Sequence, residues 1–153
     1  MSYCDFLSGP AGEKEKEEYV KMLVDEIRNC PDTVQNYRVI SIFFGGGTPS
    51  LLTGEQIGRL MDTVREIFTL DEDAEITMEM NPGTVTEEKL RKYRQAGVNR
   101  LSIGLQSVND EELRLLGRIH TYEEFREAYH LARANGFFKY QCRTLISGKF
   151  PGA

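Results

Sequence analysis

Apolar runs typical of strands alternate along this chain with amphipathic stretches typical of helices, and this alternation constrains the fold more than any other feature. Val39 to Phe44 (VISIFF) is a continuous β-branched and aromatic run, which predicts a strand covered on both faces. EITMEM (75–80) and RLSIGLQ (100–106) have the period of two that predicts strands. Strands separated by helices in this order predict an α/β fold built from parallel βα units.

Helix signals precede, separate and follow the three strand-like runs. Each combines apolar residues at helical spacing with a capping residue at one end. The sequence predicts five helices, which lie at about Glu13 to Asn29, after the capping box of Thr53 and Gln56, from Glu87 to Ala96 before Gly97, after Asn109 with Glu112, and between Thr121 with Glu124 and Gly136. The chain of 153 residues is the size of one globular domain.

The charge of the chain argues against two classes of partner. The formal net charge is -5, and no cluster of Lys and Arg suits a phosphate backbone, so no nucleic-acid partner is expected. No apolar run is long enough to span a bilayer, so no membrane insertion is expected. Three widely spaced cysteines indicate thiols or ligands in a reducing compartment, and we expect a cytoplasmic protein.

Polar residues stand where the predicted strands end. GGGTPS (45–50) follows the first strand, Glu79 lies near the end of the second, and Gln106 ends the third. Because the carboxyl ends of parallel strands share one edge of a sheet, these groups are expected to meet. Glycines let the backbone approach a ligand closely. Because a carboxylate and an amide lie beside the glycine loop, the sequence predicts a pocket for a ligand with ammonium and hydroxyl groups.

Plainer interpretations of the same residues remain open. Gly-Gly-Gly-Thr-Pro alone is often only a turn, and Glu79 and Gln106 could cap neighbouring backbone groups. Arg118 in GRIHT could compensate a helix C-terminus. His120 and His130 are more typical of surface or packing residues than of metal ligands, since no acidic or cysteine partner stands at ligand spacing.

Six motifs together resemble one known family. YCDF, FFGGGTPSLL, EITMEMNP, RLSIGLQS, LLGRIHTYEEF and ARANGF, in this order, resemble the oxygen-independent coproporphyrinogen III oxidase family of radical S-adenosylmethionine (SAM) proteins. CDF and GRIHTYEEF are more similar to its heme chaperone branch than to the true oxidases, which decarboxylate propionates to vinyls. The resemblance implies a partial parallel (β/α) barrel of the radical SAM type, lacking the first strand and the later βα units.

The resemblance also implies cofactors and their contacts. In the family, three thiolates of CxxxCxxC hold a [4Fe-4S] cluster whose fourth iron binds SAM, and cleavage of SAM yields a 5′-deoxyadenosyl radical. Heme in the full-length protein, a tetrapyrrole partner and an unidentified heme acceptor protein are implied as well. Matched position by position, the implied SAM contacts are Gly46, Gly47, Thr48, Glu79, Gln106 and Arg118.

Cys4 marks one departure from the family pattern. It aligns with the last cysteine of CxxxCxxC and is the one metal ligand implied here, because neither Cys30 nor Cys142 stands at the spacing of the other two. A single thiolate leaves three irons without protein ligands. The chain as written is therefore expected to hold no stable cluster, and no residue is assigned a catalytic role.

The end of the chain marks a second departure. KYQCRTLISGKFPGA (139–153) stands where the family has a strand like NINVDLISGIPGQ, which predicts a frameshift near 139–144 in the coding DNA. We expect residues 1–153 to be a fragment of a radical SAM core domain without the C-terminal tetrapyrrole-binding domain. The alternative interpretation is a cluster-free βα module that binds a nucleotide-like ligand, or none.

Overall fold

The computed structural model describes residues 11–144, over which five α-helices and four β-strands alternate. The elements are α1 (Glu13–Arg28), β1 (Arg38–Phe44), α2 (Gly54–Ile67), β2 (Thr69–Met80), α3 (Glu87–Ala96), β3 (Arg100–Gln106), α4 (Asp110–Leu115), α5 (Tyr122–Ala134) and β4 (Lys139–Thr144). Short 3-10 turns at Pro49–Leu51 and Pro82–Thr84 follow β1 and β2.

The four strands form one parallel sheet in the order β1-β2-β3-β4, so strands that are neighbours in sequence are neighbours in space. At least one helix connects each strand to the next. The predicted α/β fold with parallel βα units is confirmed. All four strands point the same way, so their carboxyl ends lie along one edge of the sheet.

The two faces of the sheet differ in chemistry because side chains alternate along each strand. One face of β2 and β3 is apolar and buried under the helices, with Met78 and Leu101 fully inaccessible to solvent. The other face carries polar side chains, among them Glu79 of β2 and Ser102 of β3, which are register partners. The polar side chains of this face continue to the carboxyl ends of the strands, where the site was predicted.

The helices cover the apolar face with a continuous core. Ile57 and Met61 of α2, Leu90 of α3 and Phe125 of α5 are each at most 1% exposed and belong to one cluster with the strand residues. Full burial of a side chain of this size stabilises the fold by about 1.5–3 kcal/mol. This packing fixes the helices against the sheet and, with them, the loops that leave the strand ends.

The capping boxes predicted for α2 and α5 are confirmed. Thr53 Oγ1 accepts a hydrogen bond from Gln56 N at 3.2 Å, and Thr53 N donates to Gln56 Oε1 at 2.9 Å. The predicted short helix α4 is present with Asn109 as its N-cap, and Asn109 Oδ1 accepts from Glu111 N, but the Glu112 carboxylate accepts from the hydroxyl of Ser107 and completes no capping box. The Ser107 hydroxyl thus takes the place of the backbone N–H of Asn109, which would donate to this carboxylate in a capping box.

Two strand predictions also need correction. Within the described residues β1 lies at the edge of the sheet, with Ile40 70% and Phe43 55% exposed, so it is not covered on both faces. β2 begins at Thr69 rather than Glu75, since its polar first half pairs with Arg38 and Val39 across a register shift. The polar first half of β2 lacks the apolar alternation from which strands are predicted in a sequence.

Candidate functional site

The glycine loop contacts the end of β2 directly. Gly46 N donates a hydrogen bond to Glu79 Oε2 over 3.3 Å. Gly46 and Gly47 have φ angles of +78° and +52°, a left-handed conformation that residues with a Cβ rarely adopt. The loop and the carboxylate predicted to meet are therefore adjacent, and this contact is also the backbone-capping role that was the plainer interpretation of Glu79.

Ser50 anchors the far end of the loop. Its side chain is 1% exposed, and its Oγ accepts from Asn81 N at 3.2 Å and lies 2.6 Å from Thr84 Oγ1. Its carbonyl oxygen accepts from Lys89 Nζ at 2.9 Å, and partial burial lowers the pKa of that ammonium. Thr48 begins the intervening turn by accepting from Leu51 N at 3.0 Å. The loop is thus fixed to the connection that follows β2.

Gln106 and Arg118 meet around Gly104 at the end of β3. Arg118 Nη2 donates to Gly104 O at 2.9 Å. A Cβ on Gly104 would lie 2.9 Å from Arg118 Nη2 and 3.1 Å from Gln106 Nε2. The absence of a side chain at Gly104 is what lets the guanidinium and the amide occupy the same small region. Met80 O lies 3.7 Å from the same point, which links this region to the end of β2.

Gln106 has a backbone conformation that few residues with a side chain adopt. Its φ is +71°, the one positive value among non-glycine residues of the described chain. The register of β3 against β4 shifts at the same place, between Gly104 and Gln106. A left-handed non-glycine residue costs about 1–2 kcal/mol and persists where its surroundings hold it. Such strain is characteristic of ligand sites.

These groups fit the amino-acid end of SAM. A carboxylate suits an ammonium group, a guanidinium suits a carboxylate, and backbone and amide groups supply the remaining hydrogen bonds. The missing side chain at Gly104 leaves room for the Arg118 guanidinium and the Gln106 amide to lie together at the end of β3. The polar residues at the carboxyl ends of β2 and β3 thus match the donor set that this cofactor requires.

The described residues contain no comparable set of metal ligands. Over residues 11–144 no three His, Cys, Asp or Glu side chains stand together as a metal site. Cys30 and Cys142 are partly buried and free of disulfides, and burial raises the pKa of the Cys142 thiol. Cys4, the predicted metal ligand, lies outside the described residues.

Sequence reasoning missed two polar residues that organise the site. Ser50 received no role, and His120 was predicted to be a surface or packing residue, without a contact to the site. The packing alternative is confirmed, because His120 is 3% exposed, and its Nε2 also lies 3.3 Å from Leu105 O, immediately before Gln106. A histidine two positions after a site arginine, ahead of a helix cap, is the signal that could have directed attention to it.

The model of the radical SAM superfamily matches residues 2–150. The chain belongs to this superfamily. Its α/β fold is accordingly that of a partial radical SAM barrel, as the sequence predicted.

Curated radical SAM relatives cover most of this chain. It is 47% identical over 135 residues to the heme chaperone HemW of Escherichia coli strain K12, a match that spans 88% of this chain and 36% of that protein. It is 42% identical over 130 residues to the mitochondrial radical S-adenosyl methionine domain-containing protein 1 of Mus musculus, spanning 78% of this chain and 27% of that protein. The resemblance to the heme chaperone branch is thereby confirmed at the level of sequence similarity.

A solved structure of the superfamily has the same fold. The coproporphyrinogen III oxidase HemN of Escherichia coli, described as a radical SAM enzyme, superposes with a TM-score of 0.83 at 32% identity. The match covers 92% of this chain and 33% of HemN. The chain thus spans about a third of the length of HemW and HemN. None of its described helices has the length and apolarity needed to cross a membrane.

Proposed function

We propose that this chain forms the SAM-binding part of a radical SAM protein of tetrapyrrole metabolism, most similar to heme chaperones. One observation carries the proposal: the glycine loop, Glu79, Gln106 and Arg118 lie at the carboxyl ends of three adjacent strands. The higher identity to HemW than to HemN favours a chaperone over an oxidase. A cytoplasmic location belongs to the proposal.

Each site residue has a part in holding the amino-acid end of SAM. The Glu79 carboxylate receives the ammonium group beside Gly46, Gly47 and Thr48, and the loop's left-handed backbone brings the chain close to it. Arg118 binds the carboxylate of the cofactor in the geometry that guanidinium groups favour. Gln106 supplies an amide next to Arg118 and completes the set.

The second cofactor of the proposal is a [4Fe-4S] cluster, for which Cys4 is one ligand. Thiolates suit iron-sulfur clusters because they are soft and anionic. Together with the cluster, bound SAM supplies radical chemistry, and the protein contributes binding and orientation. Heme, a tetrapyrrole substrate or cargo, and a heme acceptor belong to the whole protein in this proposal.

The test uses an extended chain, defined as this sequence with an upstream segment that completes the CxxxCxxC motif. After anaerobic reconstitution with iron and sulfide, it is expected to show the absorbance of one [4Fe-4S] cluster and to bind SAM in calorimetry. Cys4→Ser should abolish the cluster absorbance, because two thiolates leave two irons without protein ligands. Cys30→Ser, which changes a thiol outside the motif, should leave it unchanged.

The outcomes separate the candidate functions. An extended chain that forms no cluster and binds no SAM would establish the alternative, a cluster-free βα module. With the whole protein in hand, binding of heme without loss of propionates from coproporphyrinogen III supports the chaperone assignment. Conversion of the propionates to vinyls would instead establish the oxidase.

Gly104→Ala is expected to weaken SAM binding about 10- to 100-fold while changing stability little. The new methyl group would displace Arg118 Nη2 and Gln106 Nε2, and a hydrogen bond to a charged group contributes about 1.5–3 kcal/mol. Both atoms end flexible side chains, so the fold can accommodate the methyl group. Calorimetric titration of the extended chain with SAM, together with thermal melting, measures both quantities.

Gly58→Ala is the matched control for that substitution. Gly58 lies in α2, and a Cβ there would meet nothing within 4 Å. Alanine in a helix is favoured over glycine by about 0.5–1 kcal/mol, so the melting temperature should hold or rise with SAM affinity unchanged. Equal losses of affinity in the two variants would contradict the role assigned to Arg118 and Gln106 around Gly104.

A further inference from the structure

The loop between α4 and α5 presents alternate residues to opposite sides. α4 ends in a Schellman motif, in which Gly117 N donates to Arg114 O and Arg118 N donates to Leu113 O. Beyond it, Ile119 is 84% exposed and His120 is 3% exposed. The side chains of Arg118 and His120 both contact β3. The loop is therefore held at both of these positions against the end of the strand.

The two contacts fall on consecutive peptide groups. Arg118 Nη2 donates to Gly104 O at 2.9 Å, and His120 Nε2 lies 3.3 Å from Leu105 O. The next residue is Gln106, whose φ of +71° needs support from its surroundings. These side chains contact the two carbonyl groups immediately before the strained residue, at the point where the β3 and β4 register shifts.

The contact with Leu105 O defines the tautomer of His120. A carbonyl oxygen only accepts, so Nε2 carries the proton and donates. Nδ1 is buried and has no hydrogen-bond partner among the described residues, so a proton there would have no acceptor. Burial, and then the nearby Arg118 charge, lower the pKa of His120 and outweigh the hydrogen bond with Leu105 O and the charges of Glu124 and Asp110, which raise it. The imidazole is thus neutral at neutral pH.

We propose that His120 is a positioning residue of the SAM pocket, whose Nε2–H tautomer holds Leu105 O and thereby maintains Gln106 in its left-handed conformation beside Arg118. This role rests on the proposed function. Arg118 contacts both backbone and ligand in this scheme, whereas His120 acts only through the strand end. Its effect on SAM is transmitted by the orientation of Gln106.

Three substitutions in the reconstituted extended chain test the role by calorimetry. His120→Leu removes the donor and should weaken SAM binding about tenfold, consistent with the free energy of one buried hydrogen bond. His120→Gln can place an amide NH2 near the Nε2 position and should restore most of the affinity. His120→Asn is too short to reach Leu105 O and should not. Equal affinities for the Gln and Asn variants would overturn the proposal.

Nitrogen-15 NMR of the uniformly labelled extended chain provides a readout that does not need SAM. His120 should show a protonated Nε2 and an unprotonated Nδ1 at pH 7, and the Gln106 amide should exchange faster in His120→Leu than in wild type. A protonated Nδ1, or unchanged Gln106 exchange, contradicts the positioning role. If these signatures are present while wild type binds no SAM, the proposed function fails and the structural role of His120 stands.

Discussion

Glu79→Ala in the reconstituted extended chain is expected to weaken SAM binding by about 10- to 100-fold. The substitution removes the acceptor for Gly46 N and the negative charge that the proposal pairs with the cofactor's ammonium group. Hydrogen bonds to charged groups contribute about 1.5–3 kcal/mol, which corresponds to this range of affinity. Calorimetric titration with SAM measures the change directly, and a variant that binds SAM as wild type does would refute the role of Glu79.

Two control variants distinguish the effect of the Glu79 charge from the effect of its hydrogen bond and from general damage to β2. Glu79→Gln keeps an oxygen that can accept from Gly46 N, so it should bind SAM less tightly than wild type and more tightly than Glu79→Ala. Glu75 lies on the same face of β2, where its Oε1 is 3.3 Å from Arg100 Nη1. Glu75→Ala should lower stability by at most about 1 kcal/mol and leave SAM affinity unchanged. A similar loss of affinity in Glu75→Ala would point to general damage to the strand.

The fold was predictable wherever a local signal and the packing agreed. Thr53 and Gln56 form their capping box, and Gly97 follows α3, because capping depends on the residues next to the helix end. The start of β2 was missed because its first half is polar and is held by pairing with β1. The burial of β1 was predicted wrongly because a run of apolar residues does not show whether the strand lies at the centre or at the edge of the sheet.

The candidate site was predictable in part from the order of elements alone. Parallel strands bring their carboxyl ends together, so Glu79 and Gln106 could be chosen from pattern before any resemblance was considered. Arg118 required the resemblance, because a basic residue after a helix has a more common explanation. The positive φ of Gln106 and the contact of His120 with Leu105 O arise from tertiary packing, which no local pattern records. The roles of Glu79, Gln106 and Arg118 as ligand contacts remain predictions.

Tyr93→Ala is expected to lower the free energy of unfolding by about 3–5 kcal/mol, the cost of removing a buried aromatic side chain. Tyr93 of α3 is 1% exposed, and its hydroxyl donates to Leu52 O at 2.6 Å and lies 3.3 Å from Ser50 O. The ring fills the core, and the hydroxyl binds the segment that follows the glycine loop. Guanidinium unfolding of the extended chain measures the loss.

Tyr93→Phe and a surface control divide this effect into packing and hydrogen bonding. Tyr93→Phe keeps the ring but leaves Leu52 O without its donor, at a cost of about 1–3 kcal/mol. Tyr37→Phe changes a side chain that is 71% exposed and should alter stability by less than about 0.5 kcal/mol. Equal effects of the two phenylalanine substitutions would contradict the assigned role of the Tyr93 hydroxyl.

The pH dependence of stability isolates the same hydroxyl. Burial raises the pKa of Tyr93 above its ordinary value of 10.0, so the folded state retains the proton that the unfolded state releases. Stability is therefore full below pH 10 and falls as the pH rises above it, because the unfolded state then binds fewer protons. Tyr93→Phe should reduce this alkaline loss, whereas Tyr37→Phe should not. Because the hydroxyl binds Leu52 O beside the anchor of the glycine loop, Tyr93→Phe should also weaken SAM binding.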